Sequence, residues 1–409
     1  CSTEGLCNSR LEIFLIYRLF YLYKYNINNE KNINFANYNL LFTQMIRKIA
    51  SLVLLIFAVT STINVTAQED WKILVGADYD MYFDNRELID CRFGESQTIF
   101  SSRLTPKIGV AWDEKNSLVA GVDLWSDFGN NNVTFAKVRP QIYYQFKSRQ
   151  VSAYAGIFPR EKMLGEYSEV IMSDSMRFFD NRVQGVMAQY HVERGFVEIS
   201  ADWCGKYSEE SREKFRIMSA GKYFFDNYHK RVYGGYNFMM FHFAGSKLIS
   251  NCVNDQVTIN PYVGARFNAY FDFDVKLNYV QIFQRDRDND EKYRKPKGGM
   301  LQMRMSKWGV YLDELLYVGE NLQPYYRSFR SDRFPYGYGG ELYAGESFFG
   351  TTEHIYSNTK IGYNRWFFKN TVNLNCYFAL LYDGTGLGNK QVVQVSVRLL
   401  KDIPLNKKR

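Results

Sequence analysis

Apolar and polar side chains alternate with a period of two through WKILVGADYDMYFDN. Trp71, Ile73, Val75, Ala77, Tyr79, Met81 and Phe83 fall on one side, and Lys72, Leu74, Gly76, Asp78, Asp80, Tyr82 and Asp84 on the other. Successive side chains of a strand point to opposite faces, so this is a strand with one dry and one wet face, longer than most strands of soluble sheets. The pattern recurs, giving about sixteen predicted strands. Leu104, Pro106, Ile108 and Val110 oppose Arg103, Thr105 and Lys107; Val138, Pro140, Ile142 and Tyr144 oppose Lys137, Arg139, Gln141 and Tyr143. Further on, Val257, Ile259, Val263, Ala265 and Phe267 oppose Thr258, Asn260, Tyr262, Arg266 and Asn268. Near the end, Val393, Val395, Val397 and Leu399 oppose Gln394, Ser396 and Arg398.

The connections alternate too. Tight turns are expected at Asp113–Asn116, Ser148–Gln150, Glu193–Gly195, Asp226–Lys230, Phe271–Asp274, Lys307–Gly309 and Phe367–Asn370. Between them fall longer polar stretches, among them Asp84–Gln97, Pro159–Asn181, Gly205–Lys214, Gly245–Asp255, Arg285–Gly298 and Val318–Gly350. A soluble sandwich gives no reason for two classes of connection in strict turn. A closed barrel in lipid does, because it leaves no unpaired edge and keeps short turns on the periplasmic side and long loops outside. The predicted fold is therefore all-β, a transmembrane antiparallel β-barrel of the Gram-negative outer membrane. The first strand would set its apolar column against lipid and its Lys/Asp column in the lumen. Trp71, Trp112, Trp308 and Trp366 fall at turn-side strand ends and Trp125 and Trp203 at loop-side ends, as two interfacial girdles would, although by parity only Trp71, Trp112 and Trp203 face lipid and Trp125, Trp308 and Trp366 do not.

Export is read from residues 45–67. Met45 is followed by Arg47 and Lys48, an apolar run Ala50–Val59 and the small-residue site Val65-Thr66-Ala67, the pattern of a secretory signal peptide. The barrel is expected to span 68–409, and 1–44 to be an upstream extension. Arg18 in the middle of Leu11–Tyr25 argues against a membrane anchor there.

Composition adds little that is specific. Lys and Arg number 51 against 43 Asp and Glu, a mild excess with no basic cluster of the nucleic-acid kind, so no nucleic acid is expected as a partner. Tyr and Phe, 32 each, make the chain aromatic-rich although its mean hydropathy is −0.35, a combination that suits a barrel. Cys91, Cys204, Cys252 and Cys376 show no metal-site spacing, no disulfide connectivity follows from them, and no metal or cofactor is expected.

Sixteen strands are enough for an aqueous channel. Its wall would carry Arg103, Lys107, Lys137, Arg139, Arg266 and Arg304, all on lumen parity. The third long connection, PREKMLGEYSEVIMSDSMRFFDN, carries Arg160, Glu161, Glu166, Glu169 and Asp174 together with apolar residues able to pack. Folded inward against a basic wall, it would narrow the pore and set a transverse field. In strand count, loop order and the place of this third loop the chain resembles the sixteen-stranded porins of Gram-negative outer membranes. The TAQ ending of the leader and the Tyr/Asn-rich loops look like barrels of the Bacteroidota. The chain departs from porins in continuing beyond its last expected strand as DIPLNKKR. The resemblance implies passive diffusion of small hydrophilic solutes, contact with outer-membrane lipid and lipopolysaccharide, insertion by the barrel assembly machinery and, as one arrangement, a homotrimer.

Two rival classes are weighed. A lipid hydrolase needs nucleophile, base and orienting acid together, and no such set surrounds His191, His229, His242 or His354 in the sequence, so no catalytic residue is expected. A plugged barrel for surface binding or adhesion would use the long aromatic seventh loop, GENLQPYYRSFRSDRFPYGYGGELYAGES. No plug domain of the TonB-dependent kind is read ahead of the first strand.

Overall fold

The strands end where the chain can turn left-handed. Asp113 and Glu114 (φ 49° and 60°), Trp308 and Gly309 (φ 56° and 94°) and Phe368 to Asn370 (φ 52° to 64°) make tight hairpins. Turns of this kind match the twist of the strands they join. Asp113 stabilises the first by accepting the Lys115 and Asn116 backbone N–H groups at 3.1 Å each. One expected turn is displaced: Asp272–Asp274 pair within a strand, and the chain reverses at residues 269–271, through Tyr270 (φ 105°).

The structure, a computed structural model, describes residues 71–405 except 92–93, 95, 131–134, 210, 227–229, 249–252, 289, 326–341 and 351–353. The expected segments 1–44 and 45–67, His229, Cys252 and most of the seventh loop lie outside the described residues. The strands are β1 (Lys72–Glu87), β2 (Gln97–Trp112), β3 (Asn116–Asp127), β4 (Lys137–Lys147), β5 (Val151–Pro159), β6 (Arg182–Val192), β7 (Gly195–Gly205) and β8 (Lys214–Phe224). They continue as β9 (Val232–Phe243), β10 (Asn254–Asn268), β11 (Asp272–Asp286), β12 (Lys297–Lys307), β13 (Val310–Gly319), β14 (Ile355–Phe367), β15 (Val372–Tyr382) and β16 (Leu387–Pro404). Each pairs antiparallel with its sequence neighbours, and β1 pairs with β16 to close the barrel.

Asp402-Ile403-Pro404, expected beyond the last strand, belongs to it. The reason is the length of β1, whose sixteen residues pair from Lys72↔Pro404 to Glu87↔Asn389. The Leu405 N–H then donates to the Trp71 carbonyl at 2.9 Å.

Parity sorts the two faces as read. Val186, Val263, Leu277 and Ile361 are 56%, 56%, 60% and 57% exposed on the outside, where a bilayer would cover them, while inward Met187, Tyr262 and Asn278 are buried. A closed barrel with such a belt is an outer-membrane protein of the Gram-negative type. Trp203 is exposed on the outer face, whereas Trp366, exposed at a strand end, has the inward parity of Tyr356, and Trp125 is buried inside. The lumen is not polar throughout. Tyr82, Trp125, Tyr311 and Tyr377 form an aromatic cluster with Phe178 of the third loop, and Tyr317, Tyr356, Phe348 and Phe349 another under the end of the seventh. Cys91, Cys204 and Cys376 are free thiols.

Candidate functional site

The third loop leaves and rejoins the wall at one point. Arg160, buried in a single short helical turn after β5, donates through its backbone to the Asn181 carbonyl at 2.7 Å. Its guanidinium donates to the Asp180 carbonyl (2.8 Å), the Arg182 carbonyl (2.6 Å) and the Asp202 carboxylate (2.8 Å). Beside it, buried Asp123 accepts from Arg182 (2.9 Å), Asn181 (3.1 Å) and Thr105 (2.7 Å). Between these roots the loop crosses the lumen. Glu198 of β7 accepts the Leu164 and Gly165 N–H groups at 2.7 and 2.8 Å, and Asn237 of β9 accepts the Ser168 N–H at 3.1 Å.

On the far side the loop meets β14 and β15. The Lys360 ammonium lies 2.6 Å from Glu169 and 3.2 Å from Asp174, the Tyr377 hydroxyl donates to Asp174 at 2.7 Å, and Asn358 donates to Glu169 at 3.1 Å. The end of the seventh loop joins in, the Glu346 N–H donating to the Glu169 carbonyl (2.8 Å) and the Ser173 N–H to the Ala344 carbonyl (2.9 Å). Burial alone would raise the Asp174 pKa, but Lys360 and Lys390 hold it well below the usual carboxylate range.

The return leg is a short helix, α1 (Asp174–Phe179), capped by the Ser173 hydroxyl, which accepts the Met176 N–H at 3.1 Å. Its last carbonyls face Arg103 and Arg139, which donate to the Phe178 and Phe179 oxygens at 3.1 and 3.2 Å. Cations at a helix C-terminus satisfy orphan carbonyls. Of the residues read as a pore wall on β2 and β4, Arg103 and Arg139 thus dock α1. Arg103 is also paired with Asp80 (2.6 Å) and is only 6% exposed; Lys107 is paired with Asp78 (2.6 Å). Lys137 lies at the loop-side end of β4, exposed. Glu161 pairs with Arg398 of β16.

What stays open lies against β10–β14. A cavity of about 280 Å³ is lined by Glu166 and Glu169 on the loop side and by Arg266, Lys276, Arg304 and Lys360 on the wall. Arg266 is bonded to Asp274 at 2.7 Å and Arg304 to Asp313 at 3.3 Å, yet these side chains remain 43% and 46% exposed. Glu166, 56% exposed, is 3.3 Å from Lys222, 3.6 Å from Lys276 and 4.0 Å from Arg266. Burial would raise the pKa of its carboxyl; these cations, Lys222 foremost, hold it below the usual value. Of the acidic members, Glu169 and Asp174 share Lys360, Glu166 faces the open gap and Glu161 lies apart on Arg398, while the basic members divide between a covered patch and an open one. Sequence reading passed over Lys222 and Lys360, whose inward parity was the available signal.

The histidines separate by face. His191 is 3.4 Å from Ser152 inside the turn-side end of the barrel, and His354 contacts the Gly319 carbonyl. His242 lies between inward, buried Phe241 and Phe243, so it points outward at the loop-side rim. Its Nδ1 is 3.1 Å from Asp255, which also accepts from Arg287 at 2.7 Å, and its ring stacks on Phe215. The β9–β10 register that brings His242 to Asp255 is what the linear sequence hides. Among the described residues no cluster of three or more His, Cys, Asp or Glu side chains is placed to hold a metal ion.

Several solved barrels are similar in fold. OpdK of Pseudomonas aeruginosa, solved with vanillate, is 9% identical, with 80% of this chain and 99% of that one covered and a TM-score of 0.44. OprB of Pseudomonas putida is 8% identical over 81% and 94% (TM-score 0.45). A triple mutant of the Rhodopseudomonas blastica porin is 14% identical over 80% and 100% (TM-score 0.39). No curated protein matches the sequence. The family model described as lipid A 3'-O-deacylase-type matches residues 65–394, most of the chain, and the protein belongs to that family.

Proposed function

We propose that the barrel is a channel through which small hydrophilic solutes diffuse, narrowed by the third loop. The observation that carries this reading is the charged gap left between Glu166 and the β10–β12 wall, where Arg266 and Arg304 keep solvent-exposed guanidinium groups. A solute passing there meets opposed charges on two sides, which aligns dipolar molecules and excludes apolar ones. Arg266, Lys276, Arg304 and Lys360 are balanced around the gap by Glu166, Glu169, Asp274 and Asp313, so the lining favours polar solutes without a marked preference for either sign of ion.

The test is single-channel recording of the refolded protein in a planar bilayer, with the reversal potential read under a salt gradient. Reversing both charges (R266E with R304E) is expected to change the cation-to-anion permeability ratio about tenfold. A unit charge a few ångströms from the path is worth about 1 kcal/mol even at the dielectric of water. A folded barrel without conductance would sink the channel reading.

A second reading is favoured by His242 and Asp255. A histidine oriented by a carboxylate is a general base for water, and this pair faces lipid at the rim where the outer leaflet's headgroups lie, in a chain whose family is named for removing an acyl chain from lipid A. Water would add to the ester carbonyl and the sugar oxygen would leave with the proton, giving a free fatty acid. The Ser152–His191 pair faces the lumen on the periplasmic side, out of reach of such an ester. Fatty acid release from lipid A by the wild type, lost at least about a hundredfold in H242A with conductance unchanged, would favour this second activity. Undiminished release in H242A, or none by the wild type, would remove it.

A further inference from the structure

On the lipid-facing side of β6–β9, outward positions alternate small and aromatic. Gly195 lies opposite Tyr223, Gly221 opposite Tyr236, and Gly234 opposite Tyr223. Aromatic rings commonly cover bare backbone beside such glycines, and the Tyr236 ring does so: a Cβ on Gly221 would come within 2.7 Å of it. The cover is incomplete. Between the rings of Tyr190, Tyr223 and Tyr236 and the side chains of Val192 and Val197 there remains a cavity of about 300 Å³, open to the outside and almost wholly apolar.

Two of the rings that frame it are held in place. The Tyr236 hydroxyl is 3.0 Å from the Ser219 hydroxyl, which donates to the Glu198 carbonyl at 2.7 Å. Tyr223 lies under the Arg194 guanidinium, 4.7 Å from ring centre to Cζ, and Arg194 is itself fixed by donating to the Phe224 and Phe225 carbonyls at 3.1 and 3.0 Å. Lys230 reaches the same turn, donating to the Glu193 carbonyl at 2.7 Å. The notch therefore has an apolar body in the hydrocarbon and two cations at its turn-side end.

We propose that this notch holds one acyl chain of a phospholipid of the periplasmic leaflet, with the lipid's phosphate against Arg194 and Lys230. An apolar cavity facing hydrocarbon has no polar groups to hold water. Its turn-side position selects the periplasmic leaflet, and the cations at its mouth match an anionic phosphate. A chain methylene moved into the notch leaves other lipid rather than water, so the gain comes from close packing and from the charge contact, not from the hydrophobic effect.

The test is native mass spectrometry of the full-length protein, refolded, loaded with phosphatidylglycerol and then stripped with detergent. The wild type is expected to keep one lipid per barrel. Val197→Trp, which fills the notch from an outward position, is expected to lower retention about tenfold, and Arg194→Gln several-fold, with heat-modifiable migration as the check on folding. Tenfold is the effect of about 1.4 kcal/mol. Val192→Trp, on the opposite wall, serves if Val197→Trp does not fold. Retention in the filled variants equal to wild type overturns the proposal. So does conversion of an oligomer to monomers with lipid retention unchanged, which would make the notch a contact between copies of this chain.

Discussion

Lys360→Met is expected to release the third loop from the far wall while leaving the barrel intact. The ammonium is 12% exposed and serves Glu169 and Asp174, themselves 18% and 23% exposed, so its loss strands two carboxylates in a covered site. Removing one partner of a buried ion cluster costs about 3–5 kcal/mol, and here the cost is avoided by undocking the loop into the aqueous lumen. Single-channel records of the variant should become noisy between sublevels, and protease should cut between Pro159 and Asn181 in barrels that still migrate as folded. Quiet records and an uncut loop would show that Lys360 does not hold it. The pH dependence follows from the same cluster. The Asp174 pKa is depressed in the folded protein, so its contribution is fully present above the ordinary carboxylate value, about 4, and is lost only as pH falls through the lower folded value. Conductance of the wild type should therefore be flat from pH 7 to about 5.

Replacing Glu161–Phe179 with Gly-Ser-Gly is expected to have the larger effect on current. Arg160 and Asn181 are already bonded across the loop's base, so a short link closes the gap without moving β5 or β6. The excised segment crosses the lumen and contacts β1, β2, β4, β7, β8, β9, β14, β15 and β16. A sixteen-strand wall with nothing across it leaves an aqueous channel, and conductance should rise roughly threefold or more. Selectivity should move toward anions, because the excised stretch carries Glu161, Glu166, Glu169 and Asp174 against Lys162 and Arg177. An unchanged conductance would mean that the current is limited elsewhere, at the seventh loop or at the turn-side mouth.

The barrel was legible because its two signals are local. Alternation along WKILVGADYDMYFDN needs only neighbours in sequence, and the contrast between a tight connection such as Lys307–Gly309 and a long one such as Pro159–Asn181 needs only counting. The inward fold of the third loop was suggested by its mix of acids with Met163, Leu164, Val170, Ile171 and Met172, the last three of which are buried in the structure. The division of the basic residues was not legible. Parity puts Arg103 and Arg304 alike in the lumen, but only register puts Asp80 opposite Arg103, and only the path of the loop lays Phe178 over it. Aromatic residues on the inward column, Tyr82 and Trp125 above all, were the neglected sign that part of the lumen would be filled. Pairing of His242 with Asp255 depends likewise on register across a connection of ten residues, 244–253.

The strand pair that closes the barrel joins the first strand to the last. No smaller sheet in this chain is complete, since β1 keeps an unsatisfied edge until residues 389–404 have arrived to meet it. Such an edge templates pairing with other chains, and contacts between positions three hundred residues apart are slow to form. In whatever order the other strands form, the sheet stays open until β1 and β16 have paired. A chain cut short before β16 has no lesser native form to fall back on, and its fate is aggregation or degradation rather than a leakier pore.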